Sequence, residues 1–328
     1  MKTLDVGRCV LLAFLALCGL ASTHAQTGDW PTKRPIRLII PGPPGGAMDM
    51  YARLIQVPLQ NALNQTLVMD FKPGANSIIG LDALSKAAPD GYTIAIAPSS
   101  AIAINPLMVV KMPYDSSTDL VPVAQMGAGG ILLMTNPATG FKSLQDVVAY
   151  AKANPGKLAY GSWGNGSTGH LVMEGIKSHY GLDMPHVPYK TTAQEITDLL
   201  GGTLSVAFTD IASPIPHIRS GKLVAIGATG SSRGPALPDV RTVTEQGYKF
   251  DADGWFGVFA PAGTPPAIVK KLNEEIGKAM ALEEVTQRFT QQNMAIPQHK
   301  NAVQFGATVK SDIELWRSLA MKANLKPD

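Results

Sequence analysis

Two glycine-rich stretches carry the residues whose types and spacing are best suited to chemistry. The first, residues 41–49, reads Pro-Gly-Pro-Pro-Gly-Gly-Ala-Met-Asp and follows a β-branched apolar run at residues 36–40. A helical pattern begins near Ala47, so the sequence predicts a strand, a glycine turn and the start of a helix. Free backbone N–H groups point outward from such a turn, which is the geometry of an anion-binding site.

The second stretch, residues 158–174, repeats this order and contains the spacing G-x-G-x-x-G from Gly164 to Gly169. This spacing matches the dinucleotide fingerprint, but the stretch lies in mid-chain and its hydroxyl groups suit a carboxylate better than a pyrophosphate. The first stretch lacks the lysine of a phosphate-binding loop. We therefore predict that the two turns face each other across a cleft and bind a small carboxylate. A purely structural strand–helix turn is the alternative for the first stretch.

The remaining polar residues do not predict a catalytic centre. His170 and Glu174 stand four residues apart on a predicted helix and could share a metal ion, but no third ligand is near them in the sequence. A helix cap and an intrahelical contact are therefore favoured over a metal site. We find no nucleophile motif, zinc-protease motif or paired carboxylates, and no nucleophile with a base in reach. The sequence predicts a binding protein with no catalytic residue, no metal and no cofactor.

The N-terminus has the pattern of a signal peptide. Lys2 and Arg8 accompany an apolar run at residues 9–21, which is too short to span a bilayer comfortably, and small residues lead up to Ala25. We predict cleavage after Ala25, so that residues 1–25 are removed and the protein is exported. A retained membrane anchor is the alternative.

Composition and charge limit the class of protein. The 328 residues suffice for about two domains, and the formal net charge of +3 comes with no basic cluster, which argues against a nucleic-acid partner. Both cysteines, Cys9 and Cys18, lie in the predicted signal peptide. The mature chain is therefore expected to have no disulfide and no thiolate metal site.

Strand-like and helix-like segments alternate after residue 26, which indicates an α/β architecture. An apolar run at residues 121–135 is interrupted by glycines and is predicted to cross between two lobes, and residues 251–260 are predicted to return.

Three local predictions concern prolines and hydroxyl groups. Pro58 is expected to kink or shorten the helix at residues 51–64. Ser99 is expected in a polar loop, and Thr264 is expected to cap a helix whose first turn contains two prolines.

A series of short motifs, in order along nearly the whole mature chain, resembles the Bug family of receptors for tripartite tricarboxylate transporters. The motifs are residues 39–49, 72–75 with 79–80, 89–93, 103–106, 113–115, 155–158, 160–162 with 166–167, 170–171 with 174, 186–190, 198–202, 237–240 and 260–265.

The resemblance implies a two-lobed Venus-flytrap fold of the type II periplasmic-binding class, with two crossover strands. Residues 26–128 and 252–328 would form the first lobe and residues 129–251 the second. The function implied is capture of a small mono- or dicarboxylate by a periplasmic monomer, for a membrane transporter with one large and one small subunit. One alternative is a sensor of the same fold that signals to a membrane histidine kinase. Another is a hydrolase or transferase on a similar scaffold.

The family's binding residues map onto both glycine-rich stretches. To these the prediction adds Met48, Trp163 and the loop residue Ser99. The mapped residues are Pro44, Gly45, Gly46, Ala47 and Asp49 in the first lobe, and Ser162, Gly164, Ser167, Thr168, Gly169 and Asp210 in the second.

Two departures from the family pattern bear on the ligand. Met48 stands where the family usually has threonine, and Trp163 is bulky for its loop position. Both would enlarge the apolar area of the cleft, which suggests an aromatic carboxylate such as a phthalate isomer or nicotinate. The alternative is that Trp163 packs on the lobe surface.

Overall fold

The computed structural model describes residues 30–322, and the predicted signal peptide at residues 1–25 lies outside them. The strands are β1 (Ile36–Ile40), β2 (Leu67–Phe71), β3 (Thr93–Pro98), β4 (Leu120–Gly129), β5 (Leu132–Thr135), β6 (Tyr160–Ser162), β7 (His186–Pro188), β8 (Val206–Thr209), β9 (Val224–Ala228) and β10 (Gly254–Pro261). The α-helices are α1 (Ala47–Leu63), α2 (Ile78–Ser85), α3 (Ser99–Ala103), α4 (Asn105–Met108), α5 (Leu144–Ala153), α6 (Thr168–Tyr180), α7 (Thr192–Gly201), α8 (Ile215–Arg219), α9 (Pro266–Met280), α10 (Glu283–Gln291) and α11 (Ala302–Lys322). Over the described range, no helix is both long and apolar enough to cross a bilayer.

The strands form two five-stranded sheets, one at the centre of each lobe. The first sheet has the order β2-β1-β3-β10-β4 and the second the order β7-β6-β8-β5-β9. In the first, β1 is parallel to β2 and β3, and β10 is antiparallel to its neighbours. In the second, β6 is parallel to β7 and β8, and β5 is antiparallel to β8 and β9. The predicted two-lobed α/β fold is confirmed.

The two glycine-rich stretches occupy equivalent places in the two lobes. Four of the five residues of strand β1, Ile36, Leu38, Ile39 and Ile40, are fully inaccessible, and Arg37 is exposed. An interior strand covered by helices is expected to be largely buried. The first stretch follows the carboxyl end of β1 and leads into α1, and the second follows β6 and leads into α6. Loops at the carboxyl ends of parallel strands are where α/β sheets bind ligands.

The predicted crossover at residues 121–135 is confirmed, because this run divides into β4 of the first sheet and β5 of the second. Gly130 lies between them, and a Cβ added there would stand 1.6 Å from the carbonyl oxygen of Thr229. Ile131 N–H donates to Thr229 Oγ1 over 3.0 Å. The outgoing connection therefore packs on the end of β9, which only glycine permits. The return strand β10 lies wholly in the first sheet, so the chain crosses back before Gly254. The lobe limits at residues 129 and 251 stay predictions.

Three local predictions are corrected. Helix α1 continues through Pro58 to Leu63 and is not shortened by it, because the burial of Ile55 and Leu59 on either side outweighs the lost backbone hydrogen bond. A kink at Pro58 stays a prediction. Ser99 begins the short helix α3 and does not lie in a loop. The Thr264 hydroxyl donates to the carbonyl oxygen of Pro261, 2.7 Å away, and does not cap α9.

Candidate ligand-binding site

A cavity of about 260 Å³ lies between the two lobes. The first lobe contributes Gly42, Pro43, Gly46, Ala47, Met48, Tyr51, Asn76, Ser77, Pro98, Ser99, Ser100, Gly254, Trp255 and Phe256, and the second contributes Ile131, Trp163, Thr168, Thr192, Asp210, Ile211 and Ala212. Much of this lining is aromatic or aliphatic, and its polar groups are hydroxyls, one amide and one carboxylate.

Three helices of ten or more residues begin at the cavity, and the short helix α3 also begins there, at Ser99. The first residues of α1, α6 and α7, which are Ala47, Thr168 and Thr192, all line it. These helices have 17, 13 and 10 residues, and each carries unpaired N–H groups and a partial positive charge at its N-terminus. The N-terminus of α1 has no side-chain cap. Ser167 and Thr191 cap the other two.

Among the described lining residues, Asp210 is the only aspartate, glutamate, lysine, arginine or histidine. Its Oδ1 accepts hydrogen bonds from the N–H groups of Ala212 and Ser213, at 2.9 and 2.8 Å. Its Oδ2 accepts from the Ser213 hydroxyl at 2.6 Å. The carboxylate therefore fixes the turn after β8 and also borders the cavity. Attraction for an anion must come from backbone N–H groups and hydroxyls.

The structure divides the predicted site residues into two groups. Those that line the cavity are Gly46, Ala47, Met48, Ser99, Trp163, Thr168 and Asp210. Those that belong to the two glycine-rich stretches but are not among the described lining residues are Pro44, Gly45, Asp49, Ser162, Gly164, Ser167 and Gly169. Contact with a ligand stays a prediction for every one of these residues.

Asp49 braces the first glycine loop. Its side chain is buried, and Oδ2 accepts a hydrogen bond from Gly45 N–H over 2.7 Å. Its Oδ1 lies 2.7 Å from the guanidinium Nε of Arg53, one turn along α1. Both carboxylate oxygens therefore serve the loop and the helix. This explains why the residue stands in the first turn of α1.

A buried hydroxyl and histidine network holds the second glycine loop. Ser162 Oγ lies 2.7 Å from His186 Nε2 and donates to the carbonyl oxygen of Gly164 over 3.0 Å. Ser167, the cap of α6, donates to Ser162 over 3.1 Å. Burial first, and the neighbouring His170 second, lower the pKa of His186 to about 4, so its ring is neutral at neutral pH.

Ser162 and His186 are thus a hydroxyl and a base in contact, which the sequence search missed because 24 residues separate them. Ser162 is fully buried and bonded within its own loop. Its hydroxyl is placed to constrain the loop and is shielded from a substrate in the cavity.

The sequence of this chain matches those of known proteins. Residues 51–325 match the model of the TctC family, described as the tripartite tricarboxylate transporter family receptor. The chain belongs to the TctC family. It is 35% identical over 319 residues to Protein BugT of Bordetella pertussis, covering 97% of each chain.

Two solved structures similar to this TctC-family chain contain carboxylates. One is an R. palustris protein with adipate, with 31% identity, a TM-score of 0.83, and coverage of 92% of this chain and 100% of the other. The second is MatC from Rhodopseudomonas palustris with bound malate, with 27% identity, a TM-score of 0.76, and coverage of 88% and 99%. The predicted membership of the Bug-type receptors is confirmed, and these proteins are periplasmic solute-binding receptors.

Gly169, the last glycine of the G-x-G-x-x-G spacing, has a packing role in this TctC-family chain. A Cβ added at Gly169 would stand 2.9 Å from Phe208 Cβ and 2.9 Å from the ring of Trp163. The last glycine of the spacing therefore lets α6 pack closely on β8 and lets Trp163 lie over the helix start. Trp163 both packs on its lobe and lines the cavity, and an aromatic ligand stays a prediction.

His170 and Glu174, the pair for which a metal site was disfavoured, have ordinary partners. His170 Nδ1 accepts from Gly166 N–H over 3.1 Å, and Glu174 accepts from Lys177 Nζ over 2.5 Å. The favoured cap and intrahelical contact are confirmed. Over residues 30–322, no group of three histidine, cysteine, aspartate or glutamate residues is placed to hold a metal ion.

Sequence reasoning missed several lining residues. Tyr51 stands one turn after Ala47 on the same face of α1, so helical spacing could have found it. Thr192 opens α7 after β7, which repeats the strand–loop–helix order of the two predicted stretches. Trp255 and Phe256 reach the cavity only because β10 pairs with β3 and β4, and no local signal marks them.

Asn76 and Ser77 are further missed residues and lie in a loop with unusual backbone. Ala75, Asn76 and Ser77 have φ angles of 46°, 48° and 75°, in the left-handed region. Asn76 Nδ2 donates to Asn105 Oδ1 over 2.6 Å, and Ser77 donates to the carbonyl oxygen of Pro41 over 3.2 Å. These bonds hold the loop against the first glycine stretch.

Proposed function

We propose that this receptor is exported by the signal peptide at residues 1–25 and captures a small mono- or dicarboxylate in its interlobe cavity. It then delivers the ligand to the large and small membrane subunits of a tripartite tricarboxylate transporter. The observation that carries the proposal is the convergence of three helix N-termini on one cavity. The adipate and malate in two similar proteins support the ligand class.

Closure of the lobes would couple binding to delivery. The N-terminus of α1 belongs to the first lobe, and those of α6 and α7 belong to the second. A ligand that contacts both sides is fully bound only when the lobes are together, so it shifts the population toward the closed form. The transporter can then distinguish loaded from empty receptor by its shape.

An aromatic ring is our preferred core for the ligand. Trp163, Met48, Tyr51, Trp255 and Phe256 surround the cavity. A cavity of about 150 Å³ accommodates benzene, so the observed 260 Å³ leaves room for a ring with one or two small polar substituents. A phthalate isomer or nicotinate satisfies these conditions.

Titration calorimetry with the purified chain tests the binding function. The panel contains succinate, citrate, malate, adipate, terephthalate and nicotinate. We expect saturable binding of at least one carboxylate and a rise in melting temperature with ligand concentration. Absence of binding across the panel would contradict the proposed function. Tight binding of succinate or citrate with no heat from terephthalate and nicotinate would overturn the aromatic core alone.

Delivery is tested separately by uptake in the host cell. Deletion of the receptor gene should abolish uptake of the radiolabelled ligand, and the plasmid-borne gene should restore it. Unchanged uptake together with lost ligand-dependent gene expression would assign the receptor to a sensor role instead.

A further inference from the structure

The charge balance of the cavity is the feature that narrows the ligand class further. The N-termini of α1, α6 and α7 each carry a partial positive charge of about half an elementary charge. The carboxylate of Asp210 opposes them with one negative charge, and no lysine, arginine or histidine is present among the described lining residues. The remaining positive charge of about half an elementary charge is smaller than the charge of one ligand carboxylate. A second ionised group would have no cationic partner.

Asp210 has acceptor capacity to spare. An ionised carboxylate offers about four acceptor sites. The N–H groups of Ala212 and Ser213 fill two of these on Oδ1, and the hydroxyl of Ser213 fills one on Oδ2. One site on Oδ2 remains for a hydrogen-bond donor.

Tyr51, on α1 of the opposite lobe, shares the cavity with Asp210. Burial first, and the charge of Asp210 second, raise the pKa of the Tyr51 phenol well above its usual range. The phenol therefore keeps its proton and borders the same cavity as Asp210. Glu195 adds no negative charge at neutral pH, since burial and Asp210 raise its pKa to about 9. This part of the cavity thus offers one anionic acceptor and one neutral donor.

We propose that Asp210 makes the receptor selective for carboxylates that carry a single negative charge and a hydrogen-bond donor at their far end. A primary carboxamide fits both groups, because its N–H can donate to Asp210 and its carbonyl oxygen can accept from Tyr51. A ligand carboxylate in the same place would face a like charge. This inference rests on the proposed function and names the ligand class of the same site.

Matched pairs of ligands test the inference, because a carboxylate and a carboxamide have nearly the same shape. Terephthalate is compared with 4-carbamoylbenzoate, adipate with its monoamide, and succinate with its monoamide, by calorimetry at pH 7.5. We expect the monoamide of each binding pair to bind at least ten-fold more tightly. In Asp210→Asn this preference should fall at least ten-fold or reverse.

The control is Ser213→Ala, which removes the hydrogen bond to Oδ2 but keeps the charge of Asp210. It should keep the preference for the monoamide within about three-fold. If Ser213→Ala and Asp210→Asn change the preference equally, Asp210 acts only through its turn and the inference is wrong.

Tighter binding of the diacids by the unaltered receptor would also overturn the inference while leaving the proposed function in place. If no carboxylate in the panel or in the matched pairs binds, the proposed function and the inference about Asp210 are both wrong. Circular dichroism and melting temperatures of the two variants show whether each is folded before its affinities are compared.

Discussion

Asp49 illustrates how a residue can shape a binding loop without lining the cavity. Its carboxylate accepts from Gly45 N–H and pairs with Arg53, and the loop it braces carries Gly46 to Met48 into the cavity. Ser162 likewise braces the second loop, through its hydrogen bond to the Gly164 carbonyl oxygen and its contact with His186. At the scale of single residues, the predicted polar groups hold the loops in place, and aromatic groups and helix starts face the cavity.

Asp49→Ala should weaken ligand binding about 5- to 50-fold, because the Gly45 N–H loses its acceptor and the loop is less restrained. Asp49→Asn keeps an oxygen in the same position and should stay within about five-fold of the unaltered protein. Calorimetry with the best carboxylate of the panel measures both. Equal losses in the two variants would indicate that the charge itself is required and that loop bracing is not the reason.

Glu195 gives a pH-dependent prediction at the same scale. It is fully buried on α7, neither carboxyl oxygen has a hydrogen-bond partner in the described chain, and burial first, then Asp210, raise its pKa from 4.5 to about 9. The folded state therefore holds a proton that the unfolded chain releases above pH 4.5. The protein loses stability as the pH rises from about 4.5 toward 9.

Glu195→Gln removes this ionisation and should raise the free energy of unfolding at pH 7 by about 1–3 kcal/mol. At pH 4 the variant and the unaltered protein should agree within about 0.5 kcal/mol, because both are then neutral at this position. Urea unfolding at the two pH values measures the difference. The exposed Glu314→Gln, in the interior of α11, is the matched control and should change stability by less than about 0.5 kcal/mol at both pH values. An equal gain at pH 4 and pH 7 would rule out ionisation as the cause.

At the scale of elements, two equivalent strand–loop–helix units and a third at β7–α7 bring their helix starts to one place. The loop at residues 75–77, between β2 and α2, completes the wall with Asn76 and Ser77. Three successive non-glycine residues in the left-handed region make this the loop with the most backbone strain in the described chain. Its hydrogen bonds to Asn105 and Pro41 maintain it.

Ala75→Gly should raise the free energy of unfolding by about 0.5–1 kcal/mol, because glycine adopts the observed φ of 46° without a clash of Cβ. The matched control, Ala83→Gly in α2, should lower it by about 1 kcal/mol, since glycine disfavours a helix interior. Denaturant titration of the two variants provides the test. A loss of stability in Ala75→Gly would show that the backbone at this position is not strained.

At the scale of the whole molecule, the cavity exists because two sheets joined by two short connections lie beside each other. Gly130 on the outgoing connection packs against the backbone of Thr229, and Gly129 stands beside Gly254 at the start of β10. Residues from 42 to 256 in the chain meet in one cavity through this arrangement. Any relative motion of the lobes must pass through these connections.

Gly130→Ala should lower the free energy of unfolding by about 3 kcal/mol or more, because its Cβ cannot coexist with the Thr229 carbonyl. Gly140→Ala is the control: it has a φ of 73° but open space around the added Cβ, so it should lower stability by only about 1 kcal/mol. Urea unfolding distinguishes the two. Similar losses would mean that the connection yields easily and that close packing there is unimportant.

The sequence by itself determined the local order of the chain. The apolar run at β1, the glycine turn and the start of α1 follow from residue types and spacing, and the same rules located β6 and α6. These features depend on neighbours within one or two turns, which is the range over which a sequence pattern acts. The motif order also identified the family and hence the two lobes.

Only the tertiary structure decided which of the predicted residues reach the cavity. Asp49, Ser162 and Ser167 have the chemistry of ligand-binding groups, yet they bond within the protein. Asp49 accepts from Gly45, Ser162 contacts His186, and Ser167 donates to Ser162. Trp255 and Tyr51 line the cavity through sheet pairing and lobe packing that no local pattern specifies. The physical reason is that Trp255 reaches the cavity through the pairing of β10 with β3, which lies far away in the chain, whereas a helix start depends on its own first turn.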